Sequence, residues 1–121
     1  VVVGLNGKSI GLIFNDAIWS THPIGETLGM PGRANPVGPA GTGALAALLA
    51  RGVIVLVCNN SLRASGQRFL PEATRNDSAA RNAFYDEVKG NLLPGVQLVP
   101  AMIVTLQQAQ ERGCRYVYAG G

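Results

Sequence analysis

Charge is scarce in this sequence. Only 14% of its residues are charged, and ten basic residues against seven acidic ones leave a formal net charge of +3. Two of the ten are lysines; the arginines are scattered, and no basic run carries interleaved aromatics. That composition argues against nucleic acid as a partner. Histidine occurs once and cysteine twice, with no Cys-x-x-Cys spacing, so zinc and haem patterns are missing and neither a metal nor a cofactor is expected. No apolar stretch approaches the roughly 18–20 residues of a membrane span, so membrane insertion is not expected. No internal repeat and no signal peptide are seen. The chain also lacks a gradual start: Val1-Val2-Val3 reads as the inside of a strand with no Met before it. An N-terminal strand–helix unit is therefore expected to precede Val1.

What is present is apolar. With 47% hydrophobic residues, 121 residues suffice for one domain, 1–121, with a sizeable core. So little charge over so apolar a chain predicts that other copies cover part of the surface, and hence a homo-oligomer.

The pattern along the chain alternates strands with helices. Val1–Leu5 reads as a strand and Asn6-Gly7-Lys8-Ser9 as a turn. Apolar residues at 10, 13, 14, 17 and 18 predict an amphipathic helix over Ile10–Trp19. Residues 22–42 hold five Gly and four Pro, which predicts a long surface loop without regular structure. An Ala/Leu-rich helix over Gly43–Arg51 stops at Gly52. A strand over 53–58 leads into a short helix over about 60–65 that ends at Gly66, and Gln67–Arg75 is irregular. Asn76-Asp77-Ser78 offers caps for a helix over 78–89, closed by Gly90. Val96–Val99 is a strand, Ala101–Arg112 a helix ending at Gly113, and Tyr116-Val117-Tyr118 a last strand. Such alternation implies right-handed crossovers. The predicted fold class is α/β: a three-layer, Rossmann-like domain with a mainly parallel sheet.

Cys58 is the residue with the most chemistry to offer. It closes the run Val53-Ile-Val-Leu-Val-Cys58, whose unbroken apolar character predicts a strand buried on both faces. Ligands in open α/β sheets gather beyond the carboxyl ends of the strands. There a thiol would meet the first N–H groups of the next helix, at residues 60–62, and Arg63. Both favour the thiolate and so a nucleophile. Cysteine is also among the most buried residue types, and the same position suits a small core hydrophobe. Cys114 begins its strand, whereas Cys58 ends its own, so in a parallel sheet they lie roughly 15–20 Å apart. A disulfide needs Cα atoms within about 7 Å, so the two are not expected to pair within one subunit.

Other motifs carry less. Gly4-Leu5-Asn6-Gly7-Lys8-Ser9 imitates a phosphate loop, but two residues separate its glycines where the loop needs four to wrap a phosphate. Gly38-Pro39-Ala40-Gly41-Thr42-Gly43 lacks the preceding strand of a dinucleotide fingerprint. His22 beside Pro23 reads as a surface or subunit contact more readily than as a catalytic base. Asn15-Asp16, inside the first predicted helix, forms either a polar face or part of a ligand site at the strand ends.

The run Arg51-Gly-Val-Ile-Val-Leu-Val-Cys58-Asn-Asn-Ser-Leu-Arg-Ala-Ser-Gly66 resembles the cysteine-bearing strand and turn of the DsrE/DsrF-like (YchN-like) sulfur-relay family. So does Leu93-Pro-Gly-Val-Gln-Leu-Val-Pro100, followed by a helix and Gly113-Cys-Arg-Tyr-Val-Tyr118. The resemblance extends over Val1–Gly7, Leu12, Asn15-Asp16 and Arg33-Ala-Asn35-Pro36. It implies a sheet of five or so parallel strands, assembly as trimers or hexamers, and a Cys58 thiol that accepts sulfane sulfur as a persulfide. Asn59, Asn60, Ser61, Arg63, Asn6 and Asn15 would then line the substrate site. Donors and acceptors would be proteins or small sulfane sulfur compounds. Longer relatives often begin with a twin-arginine export signal, which implies a periplasmic setting, with the cytoplasm as the alternative. Many relatives have His-Gly where this chain has Asn6-Gly7, a change that removes a proton carrier near the strand ends.

Two functions follow. One is a sulfur carrier, or sulfurtransferase-like protein, working through Cys58. The other is a non-catalytic oligomeric assembly or small-ligand-binding module of the same fold. A nucleotide- or flavin-binding protein ranks third. Exposure of the Cys58 thiol separates the first two.

Overall fold

A computed structural model describes residues 2–38 and 44–113. Three strands, β1 (Val2–Leu5), β2 (Ile54–Cys58) and β3 (Gln97–Val99), pair in parallel in the order β1-β2-β3. The register sets Val3 opposite Val55, Leu5 opposite Val57, and Cys58 opposite Val99. With seven α-helices among the described residues, this is a mixed α/β fold. β2 takes the middle of the sheet, as its unbroken apolar run requires.

The two faces of β2 meet different surroundings. Val55 and Val57 enter the main core with Ile10, Ile13, Phe14, Ile18, Leu62, Phe69, Phe84 and Val88. Helices α1 (Asp16–Thr21), α3 (Ala44–Ala50), α4 (Asn59–Arg63), α5 (Ser65–Phe69) and α6 (Ser78–Lys89) each contribute at least one buried side chain to that side. Leu56 and Cys58 point the other way, into a smaller cluster with Val2, Val99 and Leu106 of α7 (Met102–Glu111). That helix packs across β1 and β2.

Several expected elements stand with small shifts. The helices after residue 43, over 78–89 and over 101–112 appear as α3, α6 and α7, and the strand at 96–99 begins at Gln97. Asp77 caps α6 by accepting the Ala79 N–H at 3.1 Å. The expected strand at Tyr116–Tyr118, and Cys114, lie outside the described residues.

The first helix differs from its pattern. Residues 7–13 form a 3-10 helix, so the expected turn at 6–9 is already helical, and α1 begins only at Asp16. The break falls at Phe14, whose backbone is extended and bridges to Leu92. Leu93 N–H donates to Ile13 O at 2.7 Å, and Asn15 N–H donates to Asn91 O at 2.9 Å. These long-range bonds replace the helical ones that the apolar spacing alone predicts. Asn15-Asp16 therefore stands at a helix start, not inside a helix.

The Gly/Pro segment is not uniformly irregular either. α2 (Ile24–Leu28) forms inside it, with Pro23 at its cap, where a missing N–H costs nothing, and Gly29 closing it at φ +71°. The Gly66 stop also fails, because Gly66 lies within α5. A Cβ there would sit 3.0–3.2 Å from Arg81, so this glycine serves the close packing of α5 on α6. Irregular chain begins only after Phe69.

Candidate functional site

The carboxyl end of β2 gathers most of the residues that carry chemistry. Cys58 ends the strand and is the N-cap residue of α4, with φ −72° and ψ 115°. Among the described residues no disulfide involves it. Only 6% of its surface is exposed, and its cluster partners are Leu56, Val2, Val99 and Leu106. Its side chain does not cap α4, so the thiol is not hydrogen-bonded to the first N–H groups of that helix as the strand-end position alone suggests. The reason is parity: side chains alternate along a strand, and Cys58 shares the α7 side with Leu56. Beside it, Asn59, Leu98, Val99 and Pro100 line a shallow depression.

Asn59 and Ser61 work as anchors. Tyr85 of α6 donates its hydroxyl hydrogen to Asn59 Oδ1 at 2.9 Å. Gly7 N–H donates to Ser61 Oγ at 3.1 Å, tying the chain beyond β1 to α4. Asn60 and Asn6 are exposed, and the Asn6 carbonyl accepts from Ser9 Oγ. Arg63 is exposed too, and its guanidinium lies 5.2 Å from the centre of the Tyr85 ring. Lys89 Nζ lies 5.1 Å from the same ring. Tyr85 packs against the main core, on the side of the sheet away from the Cys58 side chain.

Asn15 belongs to a different network. Its Nδ2 donates to Asn91 Oδ1 at 3.0 Å, and its Oδ1 accepts the Ile18 N–H as a helix cap. Asp16 accepts the Asn35 N–H at 2.8 Å. Both polar groups are thus committed to holding α1 against its neighbours. His22 Nε2 lies 3.1 Å from Glu87 Oε2, and its ring stands edge-on to Phe84 at 4.9 Å. That contact pins the α1–α2 corner to α6.

Asn35 was not among the expected site residues, yet it is fully buried. Its Nδ2 donates to Leu12 O and Phe14 O at 2.6 and 2.7 Å, while its Oδ1 accepts the Val37 N–H at 3.0 Å. Tyr85 and Lys89 were missed as well. Nothing local marks them, since a tyrosine and a lysine four residues apart are ordinary on a helix face.

The sheet's opposite side holds an apolar cavity of about 150 Å³ between β1, β2 and α3. Val3, Leu5, Leu12, Val37, Leu45, Leu48 and Val55 are among its lining residues. Among the described residues, no three His, Cys, Asp or Glu side chains come together as metal ligands, and no helix is long and apolar enough to cross a membrane. Comparison of the chain with family models, with curated proteins and with solved structures finds no match.

Proposed function

We propose that this protein is a sulfur carrier of the DsrE/DsrF-like kind, with Cys58 as the acceptor. The observation that carries the reading is the position of the thiol. It ends the central strand of a parallel sheet, next to a depression shaped by Asn59, Val99 and Pro100. In the proposed step the Cys58 thiolate attacks the outer sulfur of a donor persulfide. A new S–S bond forms to Cys58, the donor's S–S bond breaks, and the donor leaves as a thiolate. The next thiol repeats the exchange and releases Cys58 unchanged. Low exposure would shield the persulfide from stray thiols.

On exposure, which separates the two functions, a second reading is favoured, since Cys58 is 6% exposed and its cluster partners are aliphatic. In it the thiol is a packing residue, and the protein is an assembly or small-ligand-binding module. Either reading accommodates a homo-oligomer, trimeric or hexameric, in the periplasm. Ile54 and Leu98 keep 43% and 42% of their surface exposed on the small sheet, and assembly would cover such side chains.

Intact-mass spectrometry after incubation with sodium tetrasulfide separates the readings. The carrier gains one sulfur atom, and Cys58→Ala abolishes the gain. The packing reading predicts no gain at Cys58 until the protein is unfolded. Light scattering at micromolar concentration tests the assembly, which a monomeric mass would rule out.

A further inference from the structure

Arg63 and Lys89 come from different helices and converge on one aromatic ring. Their charged ends lie 5.2 and 5.1 Å from the centre of Tyr85. The two charges are thus within about 10 Å of each other, roughly one Debye length at 0.1 M salt, so each feels the other. Neither forms an ion pair with a carboxylate among the described residues, where the two pairs are His22–Glu87 and Arg33–Glu26. Asp86 stands three residues before Lys89, at helix-neighbour spacing, but forms no ion pair with it, and Glu87 is held by His22.

Each cation stands in the last turn of its helix, where the macrodipole favours positive charge. That explains a cation at each end but not why both reach the same ring. Tyr85 is itself held in place, because its hydroxyl is bonded to Asn59. The result is a fixed, half-buried aromatic plate flanked by two cations, on an open helical surface and not in a cavity.

We propose that this surface of α4 and α6 is a docking site for an acidic, extended peptide segment of a partner protein. Charge complementarity selects the occupant. Two carboxylates two residues apart in an extended chain are separated by about 6–7 Å, less than the roughly 10 Å upper bound on the distance between the two cations. Openness favours a segment of a macromolecule over a small anion, which this surface would leave mostly in water. The site is independent of the chemistry at Cys58, though Asn59 places it beside the strand end that carries the thiol.

The test is fluorescence anisotropy with a fluorescein-labelled Glu-Gly-Glu-Gly-Glu peptide, against a Gln-Gly-Gln-Gly-Gln peptide with the same label. The site binds the glutamate peptide in preference to the glutamine one, and the preference falls as salt rises. R63Q combined with K89Q weakens that binding about tenfold or more. R51Q combined with R112Q removes the same charge from two other exposed positions and leaves binding within about twofold. Equal weakening by both pairs would assign the effect to net charge and overturn the site, as would equal binding of the two peptides or no binding at low salt. Since no sulfur transfer is measured, failure here leaves the carrier reading standing, and the reverse also holds.

Discussion

Tyr85 donates to Asn59 Oδ1 at 2.9 Å, and this single bond ties α6 to the residue that follows Cys58. Tyr85 and Asn59 are both partly buried, so the bond is shielded from full competition by water. It also fixes the ring on which Arg63 and Lys89 converge.

Tyr85→Phe removes the donor and keeps the ring. The expected loss of stability is about 0.5–1.5 kcal/mol, the usual net worth of such a bond. Urea unfolding of the variant measures it. A variant as stable as the parent would mean that water replaces the hydroxyl without cost.

Asn35→Ala is expected to be far more harmful. It strips the donor from Leu12 O and Phe14 O and the acceptor from Val37 N–H, all around a fully buried side chain. Each buried group left unsatisfied costs about 1–3 kcal/mol, so a loss on the order of 3 kcal/mol or more is expected. Asn35→Asp tests the donor role separately, since a carboxylate can only accept and would face two carbonyl oxygens. It should be at least as damaging at neutral pH.

Glycine positions should divide sharply. At Gly25 a Cβ would stand 2.7 Å from Gly32 O and 2.9 Å from Met30 O, so Gly25→Ala must move backbone. A loss of about 1–3 kcal/mol is expected. At Gly90 the nearest atom is 3.8 Å away and φ is −86°, so Gly90→Ala should be neutral or slightly stabilising. Comparable melting temperatures for the two variants would contradict the packing of α2.

Elements with a local cause are legible along the chain. The run at 53–58 is apolar at every position, which favours a strand inside the sheet; β2 is that middle strand, although Ile54 at its start keeps 43% of its surface exposed. Asp77 before an amphipathic stretch and Gly90 after it bracket α6 for the same kind of reason. Long-range packing sets where the 10–19 pattern breaks, because bonds from Asn91 and Leu93, some 76–80 residues away, replace helical ones. It also decided that Gly66 packs against Arg81 and so stays inside a helix. The side taken by the Cys58 thiol belongs to the same class. A strand apolar on both faces has a period of two but no contrast between the faces, so nothing along the chain tells which one α7 will cover. The meeting of Arg63, Tyr85 and Lys89 is likewise a product of packing, since it takes two helices set side by side to bring those charges to one ring.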